Sequence, residues 1–262
     1  MRTAQELLDA YDRQLRTAAE TAGALTVARL GPLHLKTFEG GRGFVTYDLP
    51  GRDQAEALPG LVPGVLAHFR SDPNTTEVEW KTRGHDRTPG LQESLLNHGF
   101  AAEERESIMA GPARLLDVAV PLPAGVTLRR VSRERDVRAM AEMLDQVFPE
   151  GGSRERVPEL LRQLASGDGT EVWVAEAAGR VVSAGRLLPV TGSDFAGIWG
   201  GATLGPWRRR GIYRALTAAR ARSALRMGKT LIHSDSNEDS RPILERSGLV
   251  RISTTTPYRW RR

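Results

Sequence analysis

Hydrophobic and polar positions along the chain alternate between the periods of helices and strands. Over residues 4–20 the apolar positions recur every three to four residues, which predicts a helix with one buried face. The side chains on that face are Leu7, Leu8, Tyr11 and Leu15. Three short β-type runs follow at residues 25–30, 33–38 and 43–48, separated by glycine-containing turns. This part of the chain is therefore predicted to be a helix followed by an antiparallel meander.

Helices and strands alternate through the remainder of the chain. The predicted helices are residues 61–69, 89–97, 135–148, 154–165, 212–227 and 240–247. The predicted strands are residues 76–81, 101–109, 127–131, 171–177, 180–189, 194–204 and 230–235, with a β-rich tail at 249–260. This order of elements predicts an α/β class with a mixed sheet.

The length of 262 residues is sufficient for two domains, because single domains usually span about 100 to 200 residues. Residues 112–123 contain three prolines and are the candidate linker, since proline interrupts regular structure. We therefore predict a smaller α+β N-terminal domain over residues 1–120 and a second domain over residues 121–262.

The two halves of the sequence echo each other. In each half a predicted strand and a predicted helix are followed by glycine and an apolar residue, at Gly99-Phe100 and at Gly248-Leu249. Duplication of one domain explains the echo, with a first copy that has lost the basic turn found at residues 207–213. Ordinary C-cap chemistry is the alternative explanation, since helices commonly end on glycine.

Composition restricts the classes of function. A hydrophobic fraction of 40% and a charged fraction of 26% are typical of soluble globular proteins. No apolar run reaches the roughly 18 residues of a membrane helix, and the first residues lack the apolar core of a signal peptide. A cytoplasmic protein is therefore expected. Cysteine is absent, which excludes disulfides, thiolate metal ligands and a cysteine nucleophile, and no metal site is predicted.

The net charge of +5 suggests a nucleic-acid partner as an alternative. Lysine occurs only at Lys36, Lys81 and Lys229, so the positive charge is mostly arginine spread along the whole chain. Because no nucleic-acid-binding motif accompanies this charge, we expect neither a nucleic acid nor a membrane as partner.

The most informative segment is a basic turn between an apolar strand and a helix. Gly200 and Gly201 interrupt the strand, which is typical of a β-bulge or of a group that approaches the backbone closely. Residues 208–210 are all arginine, and Gly211 follows them at the start of the helix. Free N–H groups and the dipole at a helix start bind anions, and neighbouring arginines add positive charge. The turn is therefore predicted to bind a pyrophosphate.

This turn resembles that of the GCN5-related N-acetyltransferases (GNAT), whose signature is Gln/Arg-x-x-Gly-x-Gly/Ala after the fourth strand. Arg208 and Gly211 match the signature, whereas Tyr213 stands where the family usually has Gly or Ala. Residues 237–249 resemble the family's asparagine, helix and Gly-Phe ending, and the likeness spans residues 125–262. It implies the GNAT fold in the C-terminal half, with a sheet that splays at its fourth and fifth strands. In the duplication interpretation, the N-terminal half is a degenerate GNAT-like domain.

The resemblance implies acetyl-CoA as cosubstrate and gives roles to residues of this chain. The cofactor-binding set that it implies is Ala202, Thr203, Leu204, Arg208, Arg209, Arg210, Gly211, Ile212, Tyr213, Arg214, Asn237, Ser240 and Arg246. In that assignment, backbone groups around Thr203 and Leu204 bond the pantetheine arm, a backbone N–H near Leu204 serves the oxyanion, and the N–H groups of residues 209–214 hold the pyrophosphate. Structural alternatives are that Asn237 caps a helix and that Arg246 favours a helix C-terminus.

The family's usual proton-transfer groups are missing from the sequence. Residues 198–203, in the fourth strand, contain no carboxylate, and Leu244 occupies the position of the general-acid tyrosine. The remaining catalytic candidates are His233 as a base and Tyr213 as an acid, with Tyr258 as a further tyrosine. A structural role for His233 and catalysis by positioning alone both stay open.

These features predict an acetyl-CoA-dependent N-acetyltransferase, a transferase that acts directly on a primary amine of a small molecule, as a monomer or homodimer. A non-catalytic acyl-CoA-binding or sensory module is one alternative, because the missing acid and base permit it. A basic nucleic-acid-binding protein is the other. Specificity for the amine is expected in the loops near residues 149–170, in the C-terminal tail and in the N-terminal domain. Gly151-Gly152-Ser153 predicts a mobile turn beside that site or, alternatively, a simple connection between two helices.

Overall fold

The computed structural model describes residues 2–21, 23–149, 152–154 and 156–262, so Gly151 of the predicted mobile turn lies outside the described residues. The chain forms two compact units. The first comprises Met1–Ile108, Asp235–Asp239 and Arg251–Arg262. The second comprises Met109–Ser234 and Ser240–Val250.

The secondary structure confirms the alternating order expected from the sequence. The helices are α1 (Ala4–Leu15), α2 (Arg52–Ser71), α3 (Leu91–Asn97), α4 (Glu134–Val147), α5 (Val157–Ala165), α6 (Ile212–Arg226) and α7 (Arg241–Arg246). The strands are β1 (Thr26–Leu30), β2 (Leu33–Phe38), β3 (Arg42–Tyr47), β4 (Glu77–Arg83), β5 (Ala101–Ala102), β6 (Glu106–Pro112), β7 (Val126–Val131), β8 (Glu171–Ala177), β9 (Arg180–Pro189), β10 (Phe195–Thr203), β11 (Leu231–Ser236) and β12 (Val250–Arg261).

In the first unit, β1, β2 and β3 form the predicted antiparallel meander, and β3 then pairs in parallel with β4. Strand β12 continues this sheet by pairing antiparallel with β4. The core brings apolar side chains of the strands together with those of α2, α3 and β12. Its largest fully buried members include Trp80, Phe69 and Leu58.

Helix α2 is longer than the predicted helix at residues 61–69. It begins at Arg52 and contains Pro59 and Pro63, each of which lacks an N–H for the helical ladder. The sequence pattern placed the start too late because prolines usually mark helix boundaries. Burial of one whole face, which includes Leu58 and Val62, compensates for the lost hydrogen bonds.

A buried polar network lies at the carboxyl ends of β3 and β4. The Glu20 carboxylate accepts hydrogen bonds from Arg83 on β4 and from Thr46 on β3, and Lys36 donates to the Glu20 carbonyl. Burial alone would raise the pKa of Glu20, but Arg83 and Lys81 outweigh it and hold the pKa at about 2. The network gives the Glu20 carboxylate a cationic partner in Arg83, in a setting where an unpaired charge is costly.

In the second unit, β7, β8, β9 and β10 form an antiparallel series, and β10 pairs in parallel with β11. Alternate residues of β8 face different helices, as the period of a strand requires. Val172 and Val174 share a core with α4 and α5, whereas Ala175 shares one with the first turns of α6. Helix α6 is therefore packed directly on this sheet.

The two units repeat one order of elements. In each, an antiparallel meander leads into a strand, a long helix and a parallel strand, here β3–α2–β4 and β10–α6–β11. A short helix then ends on a glycine with positive φ, Gly99 at 86° and Gly248 at 96°. The repeat extends well beyond the C-cap, so it favours the duplication interpretation.

The candidate linker is part of the second unit. Residues 113–115 form a 3-10 helix, Leu116 is buried, and the Pro121 carbonyl lies beside Gly211 at the start of α6. The compact units thus divide at residues 108–109, and residues 235–239 and 251–262 lie with the first unit. The domain boundary near residue 120 stays a prediction.

None of the helices in the described part of the chain is both long and apolar enough to cross a membrane. Likewise, the described residues contain no group of three or more His, Cys, Asp or Glu side chains arranged to hold a metal ion.

Glu106, at the start of β6, has an unusual carboxyl group. Burial raises its pKa from 4.5 to about 7, helped by the negative charges of Asp235, Glu79 and Glu104 and opposed by Lys81. Because the folded-state pKa is raised, the contribution of Glu106 to stability is complete below pH 4.5 and is lost as the pH rises through 7.

Replacing the carboxyl group of Glu106 with an amide removes this pH-dependent loss of stability. Glu106→Gln is expected to be more stable than the wild type at pH 8 by about 1–2 kcal/mol, after allowance for solvent screening, and to gain much less at about pH 4.5. Urea unfolding at both pH values measures the difference. Glu142→Gln, at an exposed position on α4, is the control. Equal gains at the two pH values would contradict the assignment.

Candidate functional site

The predicted bulge is present in β10. The register of β10 against β9 shifts between Trp199 and Ala202, and Gly200 adopts a φ of +59°. A side chain would be strained in that conformation, which explains the glycine. The bulge changes the direction in which the last residues of β10 point.

Strands β10 and β11 separate before β10 ends. Their parallel pairing stops at Gly197 and His233, although β10 continues to Thr203. One further contact follows, in which the Ser234 hydroxyl donates to the Ile198 carbonyl at 2.9 Å. This opening confirms the expected splay, because β10 is the fourth strand when β7 is counted as the first.

A pair of buried hydroxyl groups fixes the end of β10. The Ser183 Oγ on β9 donates to the Ala202 carbonyl at 2.6 Å and lies 2.8 Å from the Thr203 Oγ1. The Arg208 Nε also donates to the Thr203 carbonyl, at 3.0 Å. These bonds tie the strand to β9 on one side and to the basic turn on the other.

The structure corrects the expectation for the Leu204 amide. The Leu204 N–H donates to the Val182 carbonyl of β9 at 3.0 Å, so it is engaged and does not serve an oxyanion. Successive backbone groups of a strand point in opposite directions, and Thr203 therefore turns its N–H away from β9. Thr203 is the residue of this segment whose amide faces the opening.

The turn after β10 exposes a run of free amides. A 3-10 helix covers Gly205–Trp207, and Arg209 and Gly211 then adopt φ values of 61° and 80°. Among the described residues, the first amide after this point with a backbone acceptor is that of Ala215, which donates to the Gly211 carbonyl at 2.9 Å. The N–H groups of residues 209–214 have no hydrogen-bond acceptor in that part of the chain. They form a concave nest for an anion.

Arginines surround this nest of free amides. Arg208 and Arg210 are exposed, the former tied to Thr203 and the latter stacked at 5.1 Å on the ring of Trp207. Arg209 and Arg214 are exposed as well. The nest therefore combines open backbone donors, the positive end of the α6 dipole and exposed cations at the surface.

Helix α6 is more deeply buried than its sequence pattern predicts. The face on which Ile212, Leu216 and Ser223 recur at helical spacing is buried, but so are Ala218 and Ala221 on other faces. A helix enclosed on several sides cannot tilt freely, so the amides at its start are held in place.

Tyr213, the departure from the family signature, packs directly under the bulge. A Cβ on Gly201 would lie only 2.7 Å from the Tyr213 ring, so the glycine makes room for the tyrosine. Burial raises the pKa of Tyr213, whereas the guanidinium of Arg220 beside its hydroxyl lowers it. Tyr213 thus carries its proton at neutral pH and has a cation next to it.

His233 lies in an aromatic setting at the last pairing of β11. Its ring meets Phe195 and Trp199 edge-on, with centroids 5.8 and 5.2 Å apart, and the residue is 8% exposed. These contacts support the structural alternative for His233.

The remaining predicted residues lie on other elements of the fold. Asn237 follows β11 and belongs to the first unit, and Ser240 is the N-cap residue of α7. Arg246 is the exposed last residue of α7. Tyr258 is buried in the core of the first unit, opposite Trp80.

Sequence reasoning missed two residues near the bulge, Ser183 and Arg220. A serine in a strand does not by itself indicate a functional role. Arg220 could have been noticed, because it follows Leu216 by four residues and so places a charge on the apolar face of the predicted helix.

Comparisons with known proteins agree with this geometry. Residues 137–249 match the family model of the acetyltransferase (GNAT) family. Among curated proteins, none matches this chain by sequence.

Solved structures resemble nearly the whole chain. A GCN5-related N-acetyltransferase from Kribbella flavida is 17% identical with a TM-score of 0.67, covering 98% of this chain and 95% of its own. A functionally unknown protein from Staphylococcus epidermidis is 13% identical with a TM-score of 0.67, covering 94% and 97%. A tandem GNAT protein from the clavulanic acid biosynthesis pathway is 15% identical with a TM-score of 0.59, covering 99% and 97%. At these identities the likeness establishes the fold.

Two glycines at opposite ends of α6 provide a matched test of the nest. Gly211 and Gly228 have φ values of +80° and +77°, so alanine at either position is expected to lower the free energy of unfolding by about 1–2 kcal/mol. Only Gly211→Ala is expected to weaken pyrophosphate binding as well, because only Gly211 lies among the free amides. Urea unfolding and calorimetric titration with pyrophosphate measure the two effects. Unchanged affinity in Gly211→Ala would contradict the nest.

Proposed function

Because residues 137–249 carry an acetyltransferase (GNAT) domain, we propose that the chain transfers the acetyl group of acetyl-CoA to a primary amine of a small molecule. The observation that carries the proposal is the run of free N–H groups over residues 209–214. Backbone donors at a buried helix start suit the diphosphate of the coenzyme, whose charge the neighbouring arginines help to neutralise.

The opening beyond Gly197 suits the rest of the donor. A strand edge without a partner can bond an extended chain of amides in the manner of an added strand, and the pantetheine arm is such a chain. Thr203, with its N–H turned away from β9, is the nearest backbone donor to the nest on this edge. An arm that runs from the nest along β10 would bring the thioester towards the bulge at Gly200 and Gly201.

The chemistry that we propose is direct transfer. The neutral amine attacks the thioester carbonyl, the C–S bond breaks, and the departing sulfur takes a proton. Tyr213 is the proposed donor of that proton, because its ring lies against Gly201 and its raised pKa keeps it protonated at neutral pH. The nitrogen loses its proton to water. His233 is not needed in this scheme, and its aromatic contacts support a packing role.

Release of free thiol tests the activity. Incubation of the protein with acetyl-CoA is expected to release CoA in the presence of at least one member of a panel of small primary amines. Matched tertiary amines, which lack an N–H and cannot form a stable amide, are the control. Turnover on lysine peptides alone would contradict the small-molecule part of the proposal.

Two other outcomes would favour the alternative functions. Calorimetric binding of acetyl-CoA without turnover on any amine would indicate a non-catalytic acyl-CoA-binding module. Binding of DNA that weakens steeply with salt, together with no heat on addition of acetyl-CoA, would indicate a nucleic-acid-binding protein.

The role of Tyr213 gives a separate prediction. Tyr213→Phe keeps the ring against Gly201 but removes the hydroxyl, so kcat is expected to fall about 100-fold while the affinity for acetyl-CoA is retained. Steady-state kinetics and calorimetry measure the two quantities. Tyr258→Phe, in the core of the first unit, is the control and is expected to leave kcat unchanged. Equal kcat values in the wild type and Tyr213→Phe would exclude Tyr213 as the acid.

A further inference from the structure

Arg220 is a buried cation on α6 whose contacts are all with neutral groups. It is 1% exposed, and its guanidinium donates to the carbonyls of Leu216 at 3.3 Å and Arg186 at 3.2 Å. Its Nη2 lies 3.2 Å from the Thr217 hydroxyl. No carboxylate among the described residues forms an ion pair with it. Arginine keeps its charge in proteins, so a full positive charge lies under the sheet without an acidic partner.

The fold makes specific room for this guanidinium. A Cβ on Gly185 of β9 would lie 2.5 Å from the Arg220 Nη1, and 2.7 Å from its Cζ. The guanidinium therefore rests flat against the backbone of a central strand. Burial without a counter-charge is costly, and apolar side chains of similar volume commonly replace buried ions without loss of stability. A contribution to the stability of α6 therefore does not explain why this position is an arginine.

Contacts lead from Arg220 to the bulge of β10. Arg220 contacts Thr217, whose own hydroxyl donates to the Tyr213 carbonyl at 2.9 Å, and Arg220 is near enough to the Tyr213 hydroxyl to oppose the rise in its pKa. The Tyr213 ring in turn packs on Gly201. Arg220, Thr217 and Tyr213 lie on successive turns of α6, so the guanidinium and the phenol are on the same side of that helix.

We propose that Arg220 is a positioning residue for Tyr213, which holds the phenol at the bulge and stabilises the phenolate that forms when Tyr213 gives its proton to the departing thiolate of CoA. This inference rests on the proposed acetyl transfer. In that step the C–S bond breaks, the sulfur takes its electron pair, and the Tyr213 O–H bond breaks to protonate it. Water accepts the proton that the amine loses and returns a proton to the phenolate. In total, acetyl-CoA and the amine give CoA and the amide.

The electrostatics agree with this role. Burial raises the pKa of Tyr213, and Arg220 is the largest influence that opposes the rise. It is also the charged group that faces the hydroxyl, since the other neighbour, Thr217, is neutral. A buried phenolate would be strongly disfavoured without a cation, and Arg220 provides one at the hydroxyl.

A double-mutant cycle with Arg220→Met and Tyr213→Phe tests the coupling. Methionine keeps much of the volume and removes the charge. Arg220→Met is expected to lower kcat about 100-fold in the wild-type background and to have little effect in the Tyr213→Phe background, with the KM for acetyl-CoA unchanged in both. Arg220→Lys, which restores the charge, is expected to recover part of the loss. Arg222→Met, at an exposed position on the same helix, is the control.

A second readout needs no turnover. The protein has four tyrosines, so ¹³C-labelled tyrosine gives a simple NMR spectrum in which Tyr213→Phe identifies the Tyr213 signal. The ionisation midpoint of that phenol is expected to move to higher pH in Arg220→Met and to stay in place in Arg222→Met. Circular dichroism checks that each variant is folded.

The outcomes separate the two claims. An unchanged Tyr213 midpoint in folded Arg220→Met overturns the inference, whether or not the protein is active. Additive losses of kcat in the cycle also overturn it. Absence of acetyl-CoA binding and of turnover in the wild type, with a shifted midpoint, would instead refute the proposed function and leave the Arg220–Tyr213 coupling as a structural property.

Discussion

The free amides at the start of α6 are the constraint on which the candidate site depends. Unpaired backbone donors are tolerated at a helix start because solvent or a ligand can satisfy them. They bind an anion well only if the helix is held still. The burial of α6 on several sides, Ile212 and Leu216 among its buried residues, provides that rigidity. The site is therefore a property of the packing of the whole helix, and the arginines at the surface are secondary to it.

The two units have the same order of elements but different chemistry at corresponding places. At the carboxyl end of β10 the strands separate and the backbone is open. At the carboxyl end of β3, the side chains of Glu20, Thr46 and Arg83 bond one another. Duplication followed by divergence accounts for both. One copy kept an open strand edge, and the other filled the corresponding region with paired charges.

Much of the fold could be predicted from the sequence because helical and strand periods reflect burial directly. The bounds of β2, β8 and β9 are those that the pattern predicted. Helix α2 was predicted too short, since Pro59 resembles a boundary unless the tertiary burial of neighbouring residues is known. The 3-10 turn and Pro121 beside α6 were predicted as a linker for the same reason.

The site was less predictable than the fold. Glycines and arginines at residues 200–211 have a recognisable local pattern, and the bulge and the turn followed from it. Engagement of the Leu204 amide by Val182 depends on the register between β9 and β10, which no local pattern contains. The contact between Tyr213 and Gly201 likewise joins two elements. The sequence therefore shows that Tyr213 departs from the family signature, but it does not show that Gly201 makes room for the tyrosine ring.

The lysines of this protein have a consequence for a chain that would handle an activated acyl donor. Lys36 donates to the Glu20 carbonyl, Lys81 to the Asp235 carboxylate, and Lys229 to the carbonyls of Val190 and Ser193 at 2.7 Å each. Lys36 is fully buried, Lys229 is held by two carbonyls, and the Asp235 carboxylate outweighs burial and raises the pKa of Lys81. None of the three is therefore a ready nucleophile, and arginine, which supplies the rest of the basic charge, is a poorer one still. The protein thereby limits the acylation of its own side chains.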